Sequence, residues 1–206
     1  MNSPTTSRTL EQRLAAYAPP MRPPTFDTAD VSYAVTDTPI GRMLLARNDA
    51  GALVASTFVP DDAAEAGVVE RLARALSPRV LRLPAALDDA RRQLDEFLAG
   101  RRHGFDLVTD LALATPFQRV VLTSLARGVG YGERSTYGRL AAAISRPTAS
   151  RAVGTALGSN PLCVVLPCHR VVGATGRLTG YAGGLAAKEF LLALEAGSVA
   201  LPRSEA

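Results

Sequence analysis

Tryptophan is absent from this sequence, and cysteine and histidine are reduced to two residues each. Two cysteines and two histidines are the bare minimum for a four-ligand zinc site, and no C-x-x-C pair is present, so neither a metal nor any other cofactor is expected. Cys163 and Cys168 could pair in principle, but a reducing compartment argues against a disulfide. No run approaches the roughly 18 consecutive apolar residues that a membrane span needs. No charged-then-apolar leader opens the chain, so the expected location is the cytosol, in contact with the nucleoid. The remaining composition, 47% hydrophobic and 20% charged over 206 residues, is that of a soluble protein with core enough for one large domain or two small ones.

Charge divides unevenly. Residues 1–109 carry 13 basic and 14 acidic side chains, and residues 110–206 carry 10 and 5. Nine of those ten bases are arginine, whose planar fork suits phosphate. A basic second half points to an anionic partner, nucleic acid first, although arginine-rich composition alone is a weak signal.

Residues 1–30 hold five prolines among Ser and Thr and read as a flexible extension, with a helical turn or two at most over Leu10–Ala18. A strand meander follows: Ser32–Val35, a turn at Asp37-Thr38-Pro39, Arg42–Ala46, a turn at Asn48–Gly51, and Ala52–Phe58. Amphipathic helices are predicted over Asp61–Leu76 and Pro84–Ala99, with a last strand at Phe105–Val108. His103 reads as a solvated loop residue. After a linker near 109–115, Thr115-Pro116 opens a helix with Phe117, Val120, Val121 and Leu125 inward. Two short helices, Tyr137–Ile144 and Ala149–Leu157, flank Ser145-Arg146-Pro147 as a helix-turn-helix does. The second is built of small residues around Arg151, which fits either close approach to a groove or tight core packing. A final helix is expected over Leu185–Glu195, with the last nine residues frayed. The predicted class is α/β (α+β): an extension over 1–30, a small α/β domain over 31–109, and a mostly helical domain over 110–198.

Chemistry concentrates at Leu162–Val172. A strand-like apolar run stops at Pro167, and Cys168, His169 and Arg170 follow in succession. A thiol is nucleophilic as thiolate, and cationic neighbours favour that form. The proline should leave Cys168 just past a strand end, at the edge of a cleft. An isolated Cys-His pair is as consistent with a buried structural cysteine.

Pro167-Cys168-His169-Arg170-Val171-Val172 closely resembles the active-site signature of the O6-alkylguanine-DNA alkyltransferases, also called methylated-DNA–protein-cysteine methyltransferases. The likeness extends over about Thr115–Glu195 through Thr115-Pro116-Phe117-Gln118, Tyr131-Gly132-Glu133, Thr136–Ala141, Ser150–Gly154, Asn160-Pro161, Gly180–Gly184 and Lys188–Leu192. It is looser in the first half, at Thr38–Gly41. The departures are Val121-Leu122 where the family often has tryptophan, and Gly128–Tyr131 in place of an isoleucine-proline turn.

The resemblance implies a ribonuclease-H-like first domain, a winged-helix-like second one, and a monomer that binds double-stranded DNA in the minor groove. It implies flipping of O6-alkylguanine, or O4-alkylthymine, and irreversible alkyl transfer to Cys168. By the same resemblance His169 is the base, Glu189 its orienter, Tyr137 a donor toward the leaving guanine, and Asn160 a brace for the turn. Arg151 fills the vacated stack, with Thr148, Ser150, Ala152 and Gly154 also on DNA. Tyr181, Ala182, Gly183 and Val171 line the pocket. The alternative is a DNA-binding sensor of alkylated guanine that does not repair; Cys168 weighs against it. A thiol hydrolase leaves the small-residue helix with Arg151 unexplained.

Overall fold

A computed structural model of the chain describes residues 29–198. The expectations for the N-terminal extension before residue 29, including Leu10–Ala18, and for the end beyond 198 lie outside the described residues.

The meander forms as its turns require. Strands β1 (Val31–Thr38), β2 (Gly41–Asn48) and β3 (Leu53–Phe58) run antiparallel in sequence. Gly41, at φ +119°, and Gly51, at φ +82°, take the turn positions closed to most side chains. Helix α1 (Asp62–Ala75) starts where Asp61 accepts from the Ala64 N–H. A short strand missed in the sequence, β4 (Val80–Arg82), then pairs parallel to β1 and completes a sheet of order β3-β2-β1-β4. Three residues are too few to show a period, so β4 could not be read from the pattern. What places it is an anchor at the sheet end: Asp30 binds Ser77 and Arg79, whose hydrogen bonds hold its carboxyl down at about 2.

The helix expected over 84–99 is two pieces. A 3-10 turn, Pro84–Leu87, leads into α2 (Asp88–Leu98), which buries Leu94, Phe97 and Leu98. Phe105–Val108 is not a strand: contact with the sheet narrows to one isolated bridge, Leu53 with Thr109, closed by Leu53 N–H to Val108 O at 2.8 Å and Asp110 N–H to Leu53 O at 2.9 Å.

In the second half, α3 (Pro116–Gly128) opens on a full capping box between Thr115 and Gln118. Val121, Leu122 and Leu125 are buried, whereas Val120, expected inward, is half exposed because Leu122 takes the core-facing place. Strand β5 (Ser135–Thr136) leads into α4 (Tyr137–Ala143), capped by the Thr136 hydroxyl on the Arg139 N–H. After a turn with Ser145 at φ +57°, α5 (Ser150–Gly158) buries Val153, Ala156 and Leu157. Helices α3, α4 and α5 pack on one another. Strand β6 (Val171–Val172) pairs parallel with β5, and α6 (Gly184–Glu195) closes the described chain. One apolar cluster runs from Leu45, Phe97 and Leu98 through Leu122, Leu140 and Val153 to Leu162, Val171 and Leu191, so both halves share a core. No helix among the described residues is long and apolar enough to cross a membrane.

Candidate functional site

The apolar run before Pro167 is not a strand. Leu162 bridges to Ser56 at the outer edge of β3, and the chain then reverses at Val164, whose φ is +72°. The turn closes with Leu166 N–H on Leu162 O at 2.8 Å. A β-branched residue in the left-handed region carries strain of about 1–3 kcal/mol that its surroundings must hold in place. Those surroundings are specific. Ser56 donates its N–H to Pro161 O at 2.7 Å, accepts Cys163 N–H at 2.7 Å, and donates its hydroxyl to Cys163 O at 2.9 Å. Asn160 accepts from Leu162 N–H at 3.0 Å and donates to Leu166 O at 2.9 Å and to the Cys168 sulfur at 3.2 Å. Cys168 therefore starts a 3-10 turn, Cys168–Arg170, and is 6% exposed rather than standing open at a strand end.

Both cysteines are free thiols. The Cys163 thiol donates to the Asn160 carbonyl at 3.5 Å in the neutral pair, and to the Cys168 sulfur when that is ionised. That hydrogen bond is the largest influence on Cys168. Burial opposes it, while the Asn160 amide and the positive Lys188 reinforce it, and the Cys168 thiol settles below the ordinary cysteine range. Cys163 moves the other way, pushed well up by the same contact and by burial. Lys188, the only lysine in the sequence, is fully buried, with its ammonium on Val171 O at 2.7 Å and Thr179 O at 3.3 Å. Burial lowers its proton affinity, and the Cys168 charge opposes that.

His169 is fully buried, and its Nε2 lies 2.7 Å from Glu195 Oε1. The expected partner, Glu189, is not there: it is exposed on the far side of α6. Lys188 and Glu195 are seven residues apart, two helical turns, and so share the inward face with Leu191 and Leu192, whereas Glu189 is rotated about 100° off it. The signal was present in the sequence as Glu195 falling on the stripe that continues Leu191 and Leu192. Glu195 sits at a helix C-terminus, where a carboxylate is disfavoured. Arg170 compensates, with Nε at 2.9 Å from Oε2 and Nη2 at 3.0 Å from Oε1, and the Gly132 N–H adds a bond to Oε2 at 3.2 Å. Gly132 has φ +75°, and a side chain there would crowd the Glu195 carbonyl at 3.3 Å. Burial works to raise the Glu195 carboxyl, but the His169 and Arg170 hydrogen bonds outweigh it and hold it low. Burial also lowers His169, against the pull of Glu195. A carboxylate only accepts, so His169 Nε2 carries the hydrogen and Nδ1, buried and without a protein partner among the described residues, is the basic nitrogen.

The adjoining cleft, about 600 Å³, is lined by Tyr137, Ser150, Arg151, Gly154 and Gly158 on one side and Thr179–Ala182 on the other. The Tyr137 hydroxyl is 2.6 Å from Thr179 Oγ1, and its ring lies on Gly154. Arg151 is exposed at the rim; Thr148 and Ala152 are exposed nearby without lining the cleft. Of the expected pocket residues, Tyr181 and Ala182 line it, Gly183 lies against Phe58, and Val171 is buried with its carbonyl on Lys188. Tyr181 links cleft to site, meeting the His169 ring edge-on at 6.4 Å between centroids, with its buried hydroxyl unpartnered among the described residues. Sequence reasoning missed Ser56, Cys163 as a neighbour of the nucleophile, Lys188 and Thr179. His103, read as solvated, is exposed but stacks on Tyr131 at 4.1 Å, and Tyr131 lies under the Arg170 guanidinium. Among the described residues no group of three or more His, Cys, Asp or Glu could hold a metal ion.

A mixed α/β protein of two joined halves, with a helix-turn-helix beside a cysteine-centred site, is the class these features define. Residues 31–111 match the ribonuclease-like domain of 6-O-methylguanine DNA methyltransferase, and residues 116–197 match its DNA binding domain. The chain is 41% identical over 170 residues to the methylated-DNA--protein-cysteine methyltransferase of Methanosarcina acetivorans, covering 79% of this chain and 97% of that one. It is 40% identical over 169 residues to the protein of that name from Mycolicibacterium paratuberculosis, covering 80% and 92%. The crystal structure of Mycobacterium tuberculosis O6-methylguanine methyltransferase superposes with a TM-score of 0.68 at 36% identity, over 82% of this chain and 94% of that one. A structure of the M. tuberculosis OGT protein in complex with DNA gives 0.69 at 35%, with the same coverage. The chain belongs to the 6-O-methylguanine DNA methyltransferase family.

Proposed function

We propose that this protein repairs alkylated DNA by direct reversal, as a methylated-DNA–protein-cysteine methyltransferase that takes the alkyl group of O6-alkylguanine onto Cys168. The observation that carries the reading is a buried thiol with lowered proton affinity, held by Asn160 beside a His169–Glu195 pair and next to a cleft rimmed by Arg151. DNA is the partner, bound in the minor groove by α5, whose small residues Ser150, Ala152 and Gly154 allow close approach; Thr148 and Arg151 flank them. The O6 atom of a stacked, paired guanine is out of reach of a buried sulfur, so the base must leave the stack, and Arg151 fills the gap.

His169 Nδ1 takes the Cys168 proton through a water, and Glu195 stabilises the imidazolium. The thiolate attacks the alkyl carbon, the C–O6 bond breaks, and its electron pair stays on the guanine. Tyr137, set by Thr179, donates toward guanine N3 as the base leaves. The proton returns to Tyr137 from the imidazolium, so one thiol and one alkylguanine become one thioether and one guanine. A thioether has no route back to thiol here, and each molecule acts once. O4-alkylthymine offers the same bond to break.

Intact and peptide mass spectrometry after incubation with a duplex carrying one O6-methylguanine tests the reading. One methyl group on the Cys168 peptide, with one equivalent consumed, is expected. Tight binding without a mass change would point instead to a non-repairing sensor, and no binding would remove both.

A further inference from the structure

Strand β3 ends against the site rather than in solvent. Ser56 holds the 161–163 segment through the three hydrogen bonds given above. Two residues on, along the same face of the strand, is Phe58. Its ring meets Tyr181 edge-on with centroids 5.6 Å apart, and Tyr181 meets His169 in turn. Gly183 lies so close over the same ring that a methyl group there would stand 2.4, 2.6 and 2.8 Å from Cζ, Cε1 and Cε2. Phe58 does not line the DNA-side cleft. We infer that Phe58 is a positioning residue, through which the N-terminal sheet sets the 180–184 loop and the stance of Tyr181 against His169. No motif of the second half contains it, and it gives the first half a part in the chemistry.

The rate readout of this inference rests on the alkyl-transfer reading, so a second readout is independent of it. Single-turnover methyl transfer is measured for wild type, Phe58→Ala, Gly183→Ala and the double variant. Displacements near 1 Å at a reacting site cost up to about a hundredfold in rate, so Gly183→Ala should slow transfer at least about tenfold and Phe58→Ala about threefold to tenfold, with duplex affinity kept within about twofold. The double variant should be faster than Gly183→Ala alone, because the vacated ring makes room for the new methyl group; such suppression marks direct contact. Hydrogen exchange at the Gly184 amide, which is bonded to Tyr181 O at 2.9 Å, should quicken about tenfold in Phe58→Ala while the α5 amides hold. Phe58→Leu, which keeps an apolar side chain, serves if the alanine variant does not fold. Wild-type transfer in Gly183→Ala, a double variant slower than Gly183→Ala, or unchanged Gly184 exchange would each overturn the inference. A wild-type protein that takes up no methyl group would overturn the activity alone and leave the exchange comparison standing.

Discussion

Glu195 separates two accounts of the site, because the sequence motif points to Glu189 and the geometry to Glu195. The Glu195 carboxylate is 1% exposed and accepts from four donors: His169 Nε2, Arg170 Nε, Arg170 Nη2 and the Gly132 N–H. Alanine leaves the buried Arg170 charge without its counterion, and removing one partner of a buried pair costs about 3–5 kcal/mol. At about 2–4 °C per kcal/mol for a domain of this size, the melting temperature should fall by at least about 6 °C. Glutamine keeps the shape, but its amide group must point a donor at one of those four donors. Facing Arg170 Nε and Gly132, it meets two N–H groups; facing His169, it moves the ring hydrogen to Nδ1 and removes the basic nitrogen. A charged hydrogen bond is worth about 1.5–3 kcal/mol, so Glu195→Gln should lose a comparable amount of stability. General-base assistance contributes about a hundredfold or more, so transfer should slow by at least about tenfold if part of it survives. Glu189→Gln, at an exposed position, should stay within about 0.5 kcal/mol of wild type and transfer at the wild-type rate. Thermal unfolding together with rapid-quench mass spectrometry of the Cys168 peptide reads both quantities. A slow Glu189→Gln beside a fast Glu195→Gln would refute the assignment.

Arg151→Ala should slow transfer from duplex by about tenfold or more while leaving transfer from a free O6-alkylguanine base near wild type, since only the duplex requires flipping; equal losses on both substrates would count against the gap-filling role. The slope of log affinity against log salt should also fall by about 1. Cys163→Ala should move the pH midpoint for iodoacetamide labelling of Cys168 upward, with Cys163→Ser between it and wild type; an unmoved midpoint would remove Cys163 as a donor. His169 and Glu195 both have folded-state proton affinities below their ordinary ones. Their contribution to stability is therefore whole above the ordinary histidine value of 6.5 and is lost as pH falls through the lowered values. Melting temperature should decline from pH 7.5 to pH 5, at least as steeply in Glu195→Gln, which removes the partner that pulls His169 upward, and a rise on acidification would contradict the linkage.

What the sequence carried was whatever local chemistry dictates. The Thr115–Gln118 capping box, the Thr136 cap and the two short helices around Ser145 are decided by residues within four positions of each other, and each formed within a residue or two of its expected bounds. The motif at Cys168 was legible for the same reason. Two errors have one physical origin, which is that partners distant in sequence decide them. Strand β4 exists because β1 is there to pair with it and Asp30 is there to hold Arg79. The run at Leu162–Val165 has the β-branching of a strand, yet Ser56, more than a hundred residues earlier, and the Asn160 side chain take its hydrogen bonds and force Val164 into the left-handed region.

That override bears on the chemistry. A strand through 162–165 would have alternated its side chains and carried Cys168 onward past the sheet edge, away from Asn160. The reversal at Val164 instead folds the segment back, so that the Asn160 amide reaches both Leu166 O and the Cys168 sulfur. The strained residue and the nucleophile are thus joined by one side chain, and β3 holds the turn through Ser56. The first half of the molecule has no convergent catalytic set of its own, yet it supplies the edge that keeps the strained turn closed. Sequence reading assigned the chemistry wholly to the second half because motif residues lie there; the Ser56 hydrogen bonds that hold the turn leading into the motif cross between the halves.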